Sequence, residues 1–318
     1  MEVIKPAGLR RGDTIGIVVP AGPVDAERID RALGRLRERG FRTKTYGDIC
    51  RAQGYLAGDD ATRAREFMDA FVDPETTAVW CARGGYGVAR IIDRIDFDVI
   101  RRNPKVFIGF SDISVLHVAI MQQVGLCTFH APNLQDGFGA VDDMLPATET
   151  ALWHTVMAQE QAADNAAYIL AEASLQSLSP GIATGRLTGG NLAVLCGLMG
   201  TPFEIETRGR ILFLEDTDER LYRVDRYLSQ LSLAGKLQSA AGILLGDFTF
   251  EPKTVEWNSD VAAVFDGYFR DLGIPVLAGI PAGHARENHA LPMNALVEVD
   301  AYQRLVRVRE CTVASHPS

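Results

Sequence analysis

Two kinds of apolar spacing alternate along the first half of this chain. Thr14-Ile-Gly-Ile-Val-Val19 is a short continuous apolar run closed by the turn Pro20-Ala-Gly-Pro23, the pattern of a strand buried on both faces. Asp25 to Arg39 changes to the helical period with a charged outer face and stops at Gly40, a residue suited to a helix C-terminus. Asp60 to Phe71 repeats the helical pattern and ends near Asp73-Pro74. Thr77 to Ala82 is again strand-like; the loop Arg83-Gly-Gly-Tyr-Gly87 and a helix through Ile92 are expected after it. Val106 to Phe110 reads as a strand and passes directly into a helical run with apolar positions at Ile113, Leu116, Ala119 and Ile120. Strands alternating with helices predict an α/β fold, with a mostly parallel sheet covered by helices on both faces.

The pattern weakens between about Asp136 and Ala183, a stretch rich in Ala, Gln, Ser and Asp that we read as helical packing plus a linker. A second block opens at Gly185-Arg-Leu-Thr-Gly-Gly-Asn191. It carries strand candidates at Arg210 to Leu214, Gly242 to Leu245, Leu296 to Val299 and Leu305 to Val308, and a long helix from Arg220 to Leu233. The expected organisation is therefore a first domain over 1–165, a linker over 166–184 and a smaller α/β domain over 185–318.

Composition narrows the class without naming an activity. Of 318 residues 47% are apolar and 23% charged, which is ordinary for a globular protein with a proper core. A net charge of −9 and the lack of any basic run argue against a nucleic-acid partner. No run is long and apolar enough for a membrane span, and Met1-Glu-Val-Ile-Lys-Pro lacks the layout of a signal peptide, so a cytoplasmic protein is expected. Cys50, Cys81, Cys127, Cys196 and Cys311 are scattered and odd in number, which fits free thiols better than a disulfide framework or a zinc site.

The joint between strand and helix at Ser111 is the strongest chemical signal. A serine on a sharp strand-to-helix turn projects its hydroxyl beyond the sheet, and the helix N-terminus behind it offers N–H groups to an oxyanion. The motif is Gly-Phe-Ser-Asp rather than G-x-S-x-G, and on its own Ser111 serves equally well as an N-cap. A nucleophile needs a base and an orienting acid. Among the histidines, His316 lies in a tail, His154 in a polar helix, His117 on the far side of its own helix, and His130 after a strand-like run where a structural role is as good. His284 and His289 share a loop bounded by Gly and Pro, where functional side chains concentrate; His284 is preferred and His289 is its competitor. For the acid, Ile211-Leu-Phe-Leu runs straight into Glu215-Asp216, with Asp218 and Glu219 beyond. Glu215 is best placed to sit against an imidazole, and the others are expected to cap or solvate the following helix. A metal cluster from these acids is the weaker reading, because no histidine stands at ligand spacing among them. The glycine loops at 83–87 and 189–191 suit an oxyanion or phosphate, though tight turns alone explain them almost as well.

Taken together, the motifs resemble the LD-carboxypeptidases, serine peptidases of the S66 type, a group that includes enzymes similar to the microcin C self-immunity peptidase. The resemblance rests on Gly12-Asp-Thr-Ile-Gly-Ile, Ala82-Arg-Gly-Gly-Tyr-Gly87, Lys105 to Ile113, Leu187-Thr-Gly-Gly-Asn-Leu192, Phe213-Leu-Glu-Asp with Glu219, Tyr222 and Asp225-Arg226, Gly242 to Phe248, and Gly283-His284 with Leu291-Pro292. It implies Ser111 as nucleophile, His284 as base and Glu215 as the acid, the nucleophile in the first domain and its partners in the second. The oxyanion donors would be the N–H of Asp112 and one from the Gly84-Gly85 loop, for which Gly85 is the choice. It further implies a flavodoxin-like or amidotransferase-like first domain, a homodimer, no metal or cofactor, and release of a terminal D-amino acid from an L–D peptide bond, as in recycling of peptidoglycan tetrapeptides. Arg83 is the candidate for the substrate's terminal carboxylate, with Gly84, Tyr86 and Asn191 as weaker pocket residues. The chain departs from the family pattern at Phe110, Ala131 and Asn294, where tyrosine, glycine and glycine are usual. Two other functions stay open: hydrolysis of peptide– or aminoacyl–nucleotide conjugates, with Trp257 as a candidate stacking residue, and a non-catalytic two-domain binding protein.

Overall fold

The computed structural model describes residues 2–158, 167–171, 175–250 and 260–314. Contacts divide the chain into two units, one formed by Met1–Asn165, His289–Asn294 and Thr312–Ser318, the other by Ala166–Asn288 and Ala295–Cys311. Trp257 and His316 lie outside the described residues.

The first unit is built on β1 (Thr14–Val18), β2 (Arg42–Thr45), β3 (Ala78–Cys81), β4 (Val106–Gly109) and β5 (Thr128–His130), all parallel, in the order 2-1-3-4-5. That is the flavodoxin-like order of a doubly wound sheet. Its helices are α1 (Ala26–Glu38), α2 (Asp60–Val72), α3 (Phe97–Arg102), α4 (Ser114–Val124) and α5 (Pro146–Val156). Alternation along the strands divides the core into two layers. Ile15, Ile17, Trp80 and Ile108 pack with Ile29, Ala32 and Leu36 of α1 and with Leu152 and Val156 of α5. Phe107, pointing the other way, meets Phe67 and Phe71 of α2 at ring-centroid distances of 5.8 and 6.1 Å.

The helix ends follow from local chemistry. Asp25 and Asp59 accept the N–H groups of Arg28 and Thr62 at 3.0 and 2.8 Å, so α1 and α2 each begin on an aspartate cap. Gly40, with φ of 85°, ends α1 as its spacing predicts. The helix expected to run through Ile92 is instead two 3₁₀ turns, Val88–Arg90 and Ile92–Arg94. Asp96 caps the separate α3 by accepting the N–H groups of Asp98 and Val99, which leaves too few residues for a full helix before it.

A sixth strand, β12 (Leu291–Met293), joins this sheet antiparallel to β5, although it lies far along the chain. It ends at Asn294, whose φ is 69°. The family's glycine at this place has a ready substitute, because asparagine tolerates the left-handed region better than most residues. The Asn294 amide also donates to Gly125 O at 2.9 Å.

The second unit has fewer residues but the larger sheet, eight described strands in the order β6-β14-β13-β8-β9-β10-β11-β7. Its centre, β8 (Ile182–Asn191), β9 (Ile211–Glu219), β10 (Gly242–Phe250) and β11 (Val276–Ala278), is parallel. The flanks are antiparallel: β13 (Leu296–Asp300) and β14 (Leu305–Arg309) form a hairpin beside β8, β6 (Ala167–Ala171) adds to β14, and β7 (Gln176–Ser179) adds to β11. The stretch 166–184, expected as a linker, thus supplies β6, β7 and the start of β8. The helices are α6 (Leu192–Gly197), α7 (Leu221–Leu233), α8 (Lys236–Ser239) and α9 (Val261–Phe269).

Candidate active site

Ser111 follows β4 after one residue, Phe110, whose backbone is fully extended (φ −154°, ψ −176°). The chain then reverses: Ser111 itself has φ of 68°, and a 3₁₀ turn, Ser111–Ile113, leads into α4. A serine in the left-handed region at the end of a buried strand is strained by about 1–2 kcal/mol, which the surroundings must over-determine. Asn133, fully buried, does this from outside the turn. Its Oδ1 accepts the Phe110 N–H at 3.2 Å, and its amide nitrogen lies 3.4 Å from Phe110 O. Gly84 packs directly against the serine, for a Cβ built on Gly84 would stand 2.9 Å from Ser111 Cβ and 3.2 Å from Oγ. A side chain there would displace the hydroxyl, so this glycine is required by close approach. The Gly84 carbonyl accepts the Gly22 N–H at 2.9 Å, and Gly85, with φ of 106°, sits against the Gly22 Cα. Gly85 and Tyr86 are exposed, and Tyr86 meets the exposed Tyr55 edge-on at 5.7 Å. Tyr55, overlooked in the sequence reading, is marked there only by its place in a Gly-Tyr turn.

Arg83 is half-buried, and its guanidinium donates to the Pro23 carbonyl rather than to a carboxylate. His117 is a core residue: buried completely, it donates from Nε2 to Gly109 O at 2.8 Å while Nδ1 accepts from Thr128 Oγ1 at 2.8 Å. Burial pushes its pKa down to about 4, against the smaller opposing effect of the Gly109 hydrogen bond, so the ring is neutral. His130 is also buried, with its ring edge-on to Phe110 at 5.8 Å.

In the second unit, Glu215 is fully buried in β9 and its Oε2 lies 2.7 Å from His284 Nδ1. The strand does not stop before Glu215, as its apolar run suggests, but continues to Glu219. The site arises instead where its neighbours change: β8 ends with Asn191 in register with Glu215, and β10 shifts register between Leu245 and Phe248. Such irregularities re-aim side chains at functional sites. The loop carrying His284 is fastened to β10 on both sides of the histidine. Asp247 N–H donates to Ala282 O at 3.0 Å, and Asp247 Oδ2 accepts the Ala285 N–H at 3.2 Å. Between them Gly283 (φ 136°) donates its N–H to Asn288 Oδ1 at 3.2 Å. Burial raises the Asp247 carboxyl to about 6, with the nearby Glu215 adding to the effect and the N–H of Ala285 opposing it. His289 groups with the first unit instead, whereas His284 lies in the second unit against Glu215.

Asp216 does not cap the helix that follows it. Its carboxylate accepts from the Asn191 amide at 2.9 Å and from Ala193 N–H at 3.1 Å, so it closes the start of α6. Burial raises this carboxyl too, to about 6. Asn191, read as a weak pocket residue, spends its Oδ1 on the Val194 N–H at 3.1 Å and is the N-cap of α6. Among the described residues no group of three or more His, Cys, Asp and Glu is arranged to hold a metal, and no helix is long and apolar enough to cross a membrane.

These features coincide with what the chain resembles. Residues 15–131 match the LD-carboxypeptidase N-terminal domain and residues 184–299 the LD-carboxypeptidase C-terminal domain. A probable murein peptide carboxypeptidase of Bacillus subtilis is 41% identical over 301 residues, covering 94% of this chain and 92% of its own. The microcin C7 self-immunity protein MccF of Escherichia coli is 27% identical over 331 residues, 96% of this chain and 95% of its own. A solved structure of MccF in complex with glutamyl sulfamoyl guanosine shares the two-domain α/β fold, with a TM-score of 0.90 at 24% identity over 98% of this chain and 99% of that one. The muramoyltetrapeptide carboxypeptidase of Oxalobacter formigenes superposes with a TM-score of 0.80 at 28% identity, covering 93% and 97%. In both its halves, the chain belongs to the LD-carboxypeptidase family of hydrolases.

Proposed function

We propose that this protein is a serine LD-carboxypeptidase that releases the terminal D-alanine from muropeptide tetrapeptides, acting in the cytoplasm as a homodimer. The observation that carries the proposal is the left-handed backbone at Ser111 (φ 68°), a strained serine at a strand-to-helix turn with a glycine held against its side chain. In this reading Ser111 Oγ attacks the carbonyl carbon of the L–D bond and His284 Nε2 takes its proton. Nε2 is the nitrogen for this task because Nδ1 is committed to Glu215. Glu215 fixes the tautomer and stabilises the imidazolium that forms. The N–H groups of Asp112 and Gly85 receive the oxyanion. The imidazolium then protonates the leaving amine, D-alanine departs, and water activated by the same histidine hydrolyses the acyl-enzyme. Arg83 is our choice for the terminal carboxylate, since a guanidinium has five N–H donors and the Pro23 contact leaves others to serve.

The 41% identity to a murein peptide carboxypeptidase favours this substrate, whereas the similarity to MccF at 27% supports a second reading, an aminoacyl- or peptidyl-nucleotide conjugate. Both use the same residues. The test is D-alanine release from L-Ala-γ-D-Glu-meso-diaminopimelate-D-Ala by wild type and Ser111→Ala, beside hydrolysis of glutamyl sulfamoyl adenosine. Turnover of the tetrapeptide by wild type alone is expected. Turnover of the nucleotide conjugate alone would transfer the assignment to the second reading. Equal turnover by both proteins would remove Ser111 from the mechanism, and ligand binding without any reaction would leave a binding protein.

A further inference from the structure

The Asp112 side chain has no part in that mechanism, yet it is buried (4% exposed) immediately after the nucleophile. It reaches back to the glycine loop, where Oδ2 accepts the Val88 N–H at 2.9 Å. The other half of the same peptide group, the Gly87 carbonyl, accepts from Arg63 Nη1 at 2.9 Å. Arg63 is itself only 1% exposed. Nη1 also donates to the Pro20 carbonyl, and the other two nitrogens hold the turns around the loop: Nε donates to Gly58 O at 3.2 Å and Nη2 to Asp60 Oδ1 at 2.6 Å. One peptide unit is therefore gripped at both ends by buried charged side chains. At the opposite end of the loop, Gly84 O accepts from Gly22 and the Gly84 Cα abuts Ser111.

Only Gly85 and Tyr86 lie between these two anchor points. Gly85 and Gly87 have φ of 106° and 126°, a backbone with little stiffness of its own. The position of the Gly85 N–H must therefore be imposed by what grips the ends. Burying a carboxylate and a guanidinium is costly unless both are well bonded, and here both are bonded to the loop or to its neighbours. Packing alone would be met by apolar side chains at less cost.

We infer that the Asp112 carboxylate and the Arg63 guanidinium are positioning residues that hold the Gly84–Gly87 loop, and with it the Gly85 N–H, in register with Ser111. The inference rests on the serine-hydrolase reading, so its test must separate the two. The measurement is the second-order rate of labelling by a fluorophosphonate, in which Ser111 Oγ displaces fluoride from phosphorus, together with kcat and KM for the tetrapeptide. Losing one oxyanion donor typically lowers kcat by about 10²–10³-fold. Asp112→Ala is expected to lower both labelling and kcat by roughly 100-fold while KM changes by about threefold or less, because the donor acts mainly in the transition state. Asp112→Asn, which keeps an acceptor oxygen for Val88, is expected to recover most of that loss and guards against a folding defect in the alanine variant. Arg63→Lys is expected to fall between them, since it retains one donor for Gly87. Labelling of Asp112→Ala at the wild-type rate would overturn the inference, as would an Asp112→Asn protein as impaired as the alanine variant. Equal labelling of wild type and Ser111→Ala would instead overturn the serine-hydrolase reading beneath it.

Discussion

His284 Nδ1 stands 2.7 Å from Glu215 Oε2, and the glutamate is completely buried. A carboxylate in that position fixes which imidazole nitrogen carries the proton, and so which one is open to accept another. Removing the charge while keeping the shape tests this role. Glu215→Gln is expected to lower kcat by about 10⁴-fold, as the equivalent change does in serine peptidases that rely on a buried acid, with KM nearly unchanged. Steady-state kinetics on the tetrapeptide would show it. A loss smaller than tenfold would mean that His284 keeps its orientation without the acid.

The strain at Ser111 makes a second prediction, one that separates stability from activity. Its φ of 68° is natural for glycine and costs other residues about 1–2 kcal/mol. Ser111→Ala keeps that cost and Ser111→Gly relieves it, partly offset by the greater freedom of glycine in the unfolded chain. Both variants should be inactive, with the glycine variant more stable by up to about 1 kcal/mol in urea unfolding. An alanine variant as stable as the glycine variant would show that the turn is not strained.

Much of this site could be read from sequence because its signals are local. Ser111 stands where a continuous apolar run gives way to helical spacing, and Glu215 stands where an apolar run meets its first acid. What escaped depends on pairing between distant segments. Asp247 belongs to the histidine loop only because β10 lies beside β9. Asn133 braces Phe110 from 23 residues away, and nothing in its own neighbourhood announces that. Residues 289–294 follow the His284 loop directly but return to the first sheet, where Leu291 pairs with His130. In 166–184 the apolar run Ala167-Tyr-Ile-Leu-Ala171 sits in an alanine-rich stretch that reads equally well as helix. Arg63 looks like one more surface arginine of a helix until Gly87 and Pro20 are seen above it.

Gly283 is a third place where backbone and chemistry meet. It has φ of 136°, and a Cβ there would lie 3.1 Å from both Glu215 Oε2 and Asp247 Cβ. Gly283→Ala is therefore expected to force the loop away from β9 and β10 and to strain the backbone. Stability should fall by about 1–3 kcal/mol. The kcat should fall further than that loss of folded protein explains, because the displaced residue is next to His284. Thermal unfolding and kcat measured on the same preparation would decide, and a stable, fully active variant would show the loop to be adaptable.

His117 should leave a signature in the pH dependence of stability. Its pKa is about 4 in the folded protein, chiefly through burial, against about 6.5 in the unfolded chain. Between those values the unfolded state binds a proton that the folded state does not, so the histidine's contribution is intact above 6.5 and is lost as pH falls towards 4. The full loss is on the order of 3 kcal/mol. The raised carboxyls of Asp112, Asp216 and Asp247, each near 6, work the other way, because the folded protein keeps their protons to higher pH. Acid unfolding of the wild type alone therefore mixes opposing contributions. The difference between wild type and His117→Gln isolates one of them. Measured by urea unfolding from pH 8 to 4, that difference should be flat above pH 7 and shrink steadily below it. A difference that stays constant down to pH 4 would mean that His117 titrates normally, and that its hydrogen bonds to Gly109 and Thr128 survive protonation.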